Sequence, residues 1–258
     1  MVGIYREIWN KRSLIYNFAV ADLKIRYRNS ILGFLWNFLE PLLMLGVLYI
    51  VFTNIFNSQI EHFALYILLG LILWNMFAKG TTIGLNSILS RSSILKQIYF
   101  PREITSLSSA ITALIMLCFE LMVFVIFMIA FQFIPPATII FLPLVILLEF
   151  ILVAGLSLPL SVLNVRYRDI QFIWTVIVQA GFFLTPIFYK FEVIPEYFRN
   201  ILYFNPMVQI VNIAHDATLY NIAPTIESIE LATVTTLLIF GLSYATFRKL
   251  QVRTIEEL

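Results

Sequence analysis

Long apolar runs separated by short polar or basic stretches dominate the chain, and the runs have the length of a bilayer crossing. Six spans are predicted, over residues 31–56, 63–84, 104–133, 138–163, 170–188 and 229–247. The first begins where Lys24, Arg26 and Arg28 give way at Ile31 to an apolar run interrupted only by Asn37 and a Glu40-Pro41 pair. A cation at mid-bilayer costs roughly 2.5–3.5 kcal/mol, so these three residues mark a membrane boundary. Ahead of it, residues 4–28 carry Ile4, Ile8, Ile15, Ala19, Leu23 and Tyr27 at helical spacing among cations. That spacing predicts an amphipathic helix, lying in the interface with Trp9 and Tyr16 at headgroup depth or simply solvated.

The connections follow from the same pattern. Asn57 to His62 is a short turn. Residues 85–102 turn polar while Leu85, Ile88, Leu95 and Ile98 keep an apolar stripe, which predicts a cytoplasmic amphipathic helix ended by Pro101. Pro135-Pro136 is a tight break, and residues 164–169, NVRYRD, form a second charged loop. The stretch 189–228 is too long for a turn yet not hydrophilic. Pro195 and the pair Asn205-Pro206 stand where helices start, Asn as N-cap and Pro at the first helical position. Two short helices in a re-entrant external hairpin, or a small folded cap, would both read this way.

Composition removes the soluble classes: 60% of residues are hydrophobic and 12% charged, with a mean hydropathy of +0.91. No apolar core with a cleavage site occurs near the start, so no removable signal peptide is expected and the first span itself begins insertion. The single cysteine, Cys118, lies in an apolar run and rules out an intramolecular disulfide. Of the 17 Lys and Arg, all but Lys190 and Arg199 fall in segments assigned to one side, Lys79 among them. The positive-inside bias then predicts a single all-α transmembrane domain over 1–258, multi-pass in the plasma (inner) membrane, with both termini cytoplasmic.

Little in the sequence can carry covalent chemistry. It contains no HExxH, GxSxG, CxxC or GxxxxGK[ST], and His62 and His215 fall in external segments without an evident partner ligand. Neither a catalytic, a cofactor-binding nor a metal site is therefore expected, nor a nucleic-acid partner. Glu40, Glu120 and Glu149 lie inside spans, where a carboxylate is a functional candidate by default, here a proton relay, or else is neutral or hydrogen-bonded between helices. No intramembrane cation near mid-span is expected as a partner. Glu40 stands beside Pro41, so a structural role at a helix kink is the competing reading. Aromatics make up 16% of the chain. Leu45, Tyr49, Phe52 and Phe56 share one face of the first span, and Trp174, Gly181, Thr185 and Phe188 one of the fifth, with Phe182 and Phe183 beside it. Rings of this kind stack on the C–H faces of sugars, and equally serve packing or face lipid. The spacing of Gly80 and Gly84 fits close helix approach.

Five motifs in order along the chain resemble the membrane subunits of ABC-type exporters of O-antigen, capsular polysaccharide or teichoic acid. They are DLKIRYRNSILGFLWNFLEPLL (Asp22 to Leu43), LKQIYFPREI (Leu95 to Ile104), NVRYRDIQFI (Asn164 to Ile173), FFLTPIFY (Phe182 to Tyr189) and FNPM (Phe204 to Met207). The resemblance implies a homodimer paired with two separately encoded ATPase subunits, which would bind ATP and Mg. It implies that this chain is no enzyme but supplies the path for a lipid-linked polysaccharide. It further implies that Arg91, Pro101, Arg102 and Glu103, with Arg166, Tyr167, Arg168 and Asp169, lie where the ATPase pushes; the positive-inside bias accounts for the arginines equally well. Trp36, Tyr49, Phe52, Phe182, Phe183 and Thr185 are the implied path candidates, and the hairpin at Pro195, Asn205 and Pro206 would shape the exit. An exporter of a drug or lipid with the same architecture, a proton-coupled carrier using Glu120 and Glu149, and a membrane enzyme on lipid-linked sugars are the rival readings.

Overall fold

A computed structural model describes residues 9–54, 60–98 and 100–251, and the described residues form helices and no strands. Residues 4–8 of the predicted interfacial helix, Phe56 and Asn57, and Arg253 in the tail lie outside them. Helix α1 (Arg12–Arg26) is followed by α2 (Trp36–Asn54), α3 (Phe63–Asn86) and a short α4 (Ser92–Gln97). Then come α5 (Glu103–Ala130), α6 (Leu142–Arg166), α7 (Ile170–Leu184), α8 (Glu196–Leu202), α9 (Pro206–Leu219) and α10 (Ile226–Leu250).

Five helices, α2, α3, α5, α6 and α10, are long and apolar enough to cross a membrane, so the chain is a multi-pass membrane protein. The predicted fifth span is shorter than expected. Helix α7 has 15 residues, about 22 Å at 1.5 Å per residue, against a hydrocarbon core about 30 Å thick. It stops at Leu184 because Pro186 follows, and Thr185 before that proline takes an extended conformation.

Helix α3 is the axis of the bundle. Leu65 through Leu73 are all buried, and α2, α5, α6 and α7 pack around it. Its approach to α6 runs through the small residues the sequence singled out. A Cβ on Gly80 would meet Val153 Cγ1 at 2.6 Å and one on Gly84 would meet Ser157 Oγ at 2.2 Å, so only glycine lets the two backbones come this near. Helix α10 covers the other face of α6.

Residues 85–102, expected as one amphipathic helix, hold instead the end of α3, a single 3-10 turn at Leu89–Arg91 and the six-residue α4. At the basic end, Ile88, Leu158, Val162 and Phe247 form a small core that ties the segment after α3 to the ends of α6 and α10. Beside it, Ile15 and Phe18 of α1 pack on Phe100 and Ile104. At the opposite end α8 and α9 start where the prolines and asparagine predicted. Pro195 precedes α8, Pro206 opens α9, and the Asn205 side chain accepts from the Met207 N–H at 3.0 Å. The two helices differ in burial: α8 has no buried residue, whereas α9 is almost wholly buried against α3, α6 and α10.

Candidate functional site

Side chains from α2, α3 and α7 line a groove of about 980 Å3. Trp36, Leu43, Met44 and Val47 come from α2, Trp74 and Leu71 from α3, and Val178, Phe182 and Phe183 from α7. Few polar groups interrupt this wall: Glu40, Asn75, Thr82, Thr175 and Gln179. Helix α7 is held against α3 by Gly181, whose missing Cβ leaves room for the Trp74 ring, and by Trp174 Nε1, which donates to Thr81 Oγ1 at 3.1 Å. Its outward face, with Phe172, Val176, Ile177 and Phe183, is exposed.

Behind the groove lies a charge cluster that corrects the sequence reading of the intramembrane acids. Lys79, counted from sequence with the cations of the basic end, is 8% exposed and reaches Glu40 of α2 at 2.7 Å and Glu120 of α5 at 3.0 Å. The expectation that these carboxylates lack a basic partner is therefore wrong for Glu40 and Glu120. The physical reason is helical phase. Asn75, Lys79 and Thr82 recur at four- and three-residue spacing, which makes one polar stripe on α3. Asn75 Nδ2 also donates to Glu120 at 3.3 Å. Glu120 is 1% exposed while the Glu40 side chain, 52% exposed, looks into the groove. Glu149 of α6 is fully buried.

A second fastening lies one turn before Glu40. Pro41 removes a backbone donor, which frees the Asn37 carbonyl one turn earlier. Asn37 itself is buried, donates from Nδ2 to the Met116 carbonyl of α5 at 3.1 Å, and accepts from the Tyr27 hydroxyl at 3.3 Å. Through Glu40 and Asn37, on either side of one turn, α2 is pinned to α3 and α5 beside the groove.

Of the sequence candidates for a path, Trp36, Phe182 and Phe183 line this groove. Tyr49 lies elsewhere, 6.1 Å from the Phe63 ring, and Phe52 packs on Phe188 at 4.7 Å. Thr185 is buried, its hydroxyl donated to the Gly181 carbonyl at 2.9 Å. Trp74, Asn75 and Gln179 were not singled out from sequence, although the polar stripe of α3 carries the signal for Asn75.

The candidates at the basic end divide in two. Arg166, Tyr167, Arg168 and Asp169 are exposed, with the Arg166 guanidinium 5.3 Å from the centre of the Tyr167 ring. Arg91 is buried: it pairs with Asp22 of α1 at 2.5 Å and lies over the Phe18 ring at 4.7 Å. Burial pushes the Asp22 carboxyl above its ordinary range, and the Arg91 charge works against that shift. Pro101 and Arg102 are partly exposed, the latter donating to the Gln251 carbonyl, and Glu103 is buried in the first turn of α5.

Away from the basic end, His215 of α9 stacks on the Tyr66 ring with centroids 3.6 Å apart, and its Nε2 is 2.9 Å from the Tyr66 carbonyl. Burial drives its pKa down to about 3, so the ring is neutral and Nε2 carries the proton. The neighbouring Asp216 carboxyl is raised to about 6 by burial and by the Glu192 charge, against the opposing pull of Lys190.

Known proteins share this pattern over most of its length. The sequence profile of ABC-2 type transporters matches residues 14–219. An "O-antigen export system permease protein RfbA" of Klebsiella pneumoniae is 29% identical over 236 residues, 91% of each chain. One of Myxococcus xanthus is 30% identical over 213 residues, 82% of each. The "Polysialic acid transport protein KpsM" of Escherichia coli is 21% identical over 232 residues, 89% of this chain and 90% of that one.

Proposed function

Since the chain belongs to the ABC-2 type transporter family, we propose that it is the transmembrane subunit of an ATP-driven exporter of a lipid-linked polysaccharide. The observation that carries this reading is the groove between α2, α3 and α7, which Trp36, Phe182 and Phe183 line with aromatic rings of the kind that stack on sugar C–H groups, while few polar groups could bind tightly. The relatives named for O-antigen and polysialic acid transport support a glycan as cargo.

In this reading two copies of the chain face each other across their grooves, and the exposed apolar faces of α2 and α7 are covered by the second copy or by lipid. Two ATPase subunits, carrying ATP and Mg, dock at the basic end. Helix α7 with the segment after it makes a sixth, shorter crossing, both termini are cytoplasmic, and the protein resides in the plasma (inner) membrane. The Arg166–Asp169 loop and Pro101–Arg102 receive the push of the ATPase, and the α8–α9 hairpin shapes the exit.

Mild-detergent purification of the tagged chain from its host tests the assembly. A phosphate-loop ATPase at one copy per copy of this chain, together with loss of surface glycan when the chain is depleted, is the expected result. Unchanged surface glycan on depletion, or transport in vesicles without ATP, overturns it.

A further inference from the structure

A second cavity, of about 450 Å3, lies at the end opposite the basic loops, between α9, the segment 222–225 and residues 190–192. Its size falls within the range of small-molecule sites, ~300–1,000 Å3. Nothing in the groove mechanism uses it.

The base of this cavity is built rather than incidental. His215 is 2% exposed and its Nδ1 has no hydrogen-bond partner, while Nε2, bound to the Tyr66 carbonyl, holds the ring's proton. The Tyr66 carbonyl fixes the His215 ring in the cavity wall, stacked on the Tyr66 ring with centroids 3.6 Å apart. Asp216 and Glu192 add carboxylate acceptors, Asn212 an amide, and Tyr220, with the Lys190 ammonium 5.4 Å from its ring centre, an aromatic face. Acceptors of this kind could also hold a metal, but among the described residues no group of three His, Cys, Asp or Glu is placed for one. Hydroxyl-rich rings with apolar faces are the chemistry that matches an acceptor-lined, aromatic-walled cavity.

We propose that this cavity is a saccharide site, taking one or two sugar units with ring hydroxyls donated to Asp216 and Glu192 and an apolar sugar face on Tyr220. Its saccharide is the cargo of the transport reading, on which the biological role rests; the binding itself does not depend on that reading. A site here holds the emerging end of a polymer outside the groove.

The test uses the purified full chain in nanodiscs and, as probe, oligosaccharide released by mild acid from the host's own surface polysaccharide, followed by saturation-transfer NMR and calorimetry. The parent is expected to bind, and Asp216→Asn and Tyr220→Ala to weaken binding about tenfold or more. Asp216→Asn, isosteric, carries the test if Tyr220→Ala does not fold. Absence of binding to the parent, or binding that both variants leave intact, overturns the site. So does binding lost on Trp36→Ala but kept in Tyr220→Ala, which would put the sugar in the groove. In all three cases a surface glycan that still depends on the chain leaves the transport reading standing. A surface glycan indifferent to the chain fails that reading whatever the cavity binds.

Discussion

Lys79 shows how one residue can set the tolerance of a whole interface. Its ammonium is compensated only because α2 and α5 each bring a carboxylate, and both it and Glu120 are buried. Removing one member of a buried pair strands the other charge, whereas neutralising both removes the penalty. Lys79→Met should therefore lower stability by about 3 kcal/mol, read as an earlier unfolding midpoint in a denaturing-detergent titration followed by tryptophan fluorescence. Lys79→Met combined with Glu120→Gln should recover most of it. A double variant no better than the single would show that the pair is not what holds the helices. Asp216 makes a different prediction at the same scale. Its pKa of about 6 in the folded chain stands above the ordinary 3.8, so the folded state keeps a proton that the unfolded state loses first. That contribution is fully present below pH ~3.8 and is lost as pH rises through ~6. Asp216→Asn should consequently melt above the parent at about pH 7.5 and level with it near pH 4; a difference that does not vary with pH would refute the shift.

Among the helices, α3 decides the fold, and its glycines decide how α6 meets it. A Cβ at Gly84 would stand 2.2 Å from Ser157 Oγ and 3.1 Å from its Cα, so Gly84→Ala forces the two helices apart. Overpacking of this kind costs about 1–3 kcal/mol, measurable as a lowered thermal midpoint. Ser157→Gly added to it should restore most of the loss, which a general helix-propensity effect would not allow. The Gly80 and Gly84 spacing announced this contact in the sequence, because close approach of two backbones needs small residues at helical period. Helix starts at Asn205-Pro206 were legible for a similarly local reason. Tertiary pairing was less so. Hydropathy treats Lys79 as a boundary cation, since one residue's transfer cost says nothing of two carboxylates waiting on helices distant in sequence. Of the path candidates that the family resemblance implied, Trp36, Phe182 and Phe183 line the groove, yet Tyr49, Phe52 and Thr185, which also stood on periodic faces of their spans, lie in other contacts. Periodicity gives the face of a helix, and only its neighbours give what that face meets.

Across the whole molecule, the basic end and the groove are joined by short, stiff connections. Helix α1 is strapped down by Asp22 to Arg91 and by Phe18 against Phe100, so Arg91 serves as a tie within the chain. The exposed loop 166–169 is different, because Asp169 is the residue from which α7 starts, and the first groove residue of α7, Thr175, follows within two turns. A force applied to this loop moves a wall of the groove with little slack between. An acid at that position also complements the positive end of the helix, worth about 0.3–1 kcal/mol. Asp169→Arg reverses the charge presented to a partner, and Asp169→Asn removes the helix-end charge without reversing it. Under the exporter reading, both variants should insert and accumulate in the membrane as the parent does. Asp169→Arg should lose surface glycan, while Asp169→Asn should retain most of it. Reduced membrane levels of Asp169→Arg would assign the residue to insertion, and unchanged export by both variants would remove the loop from the path of force.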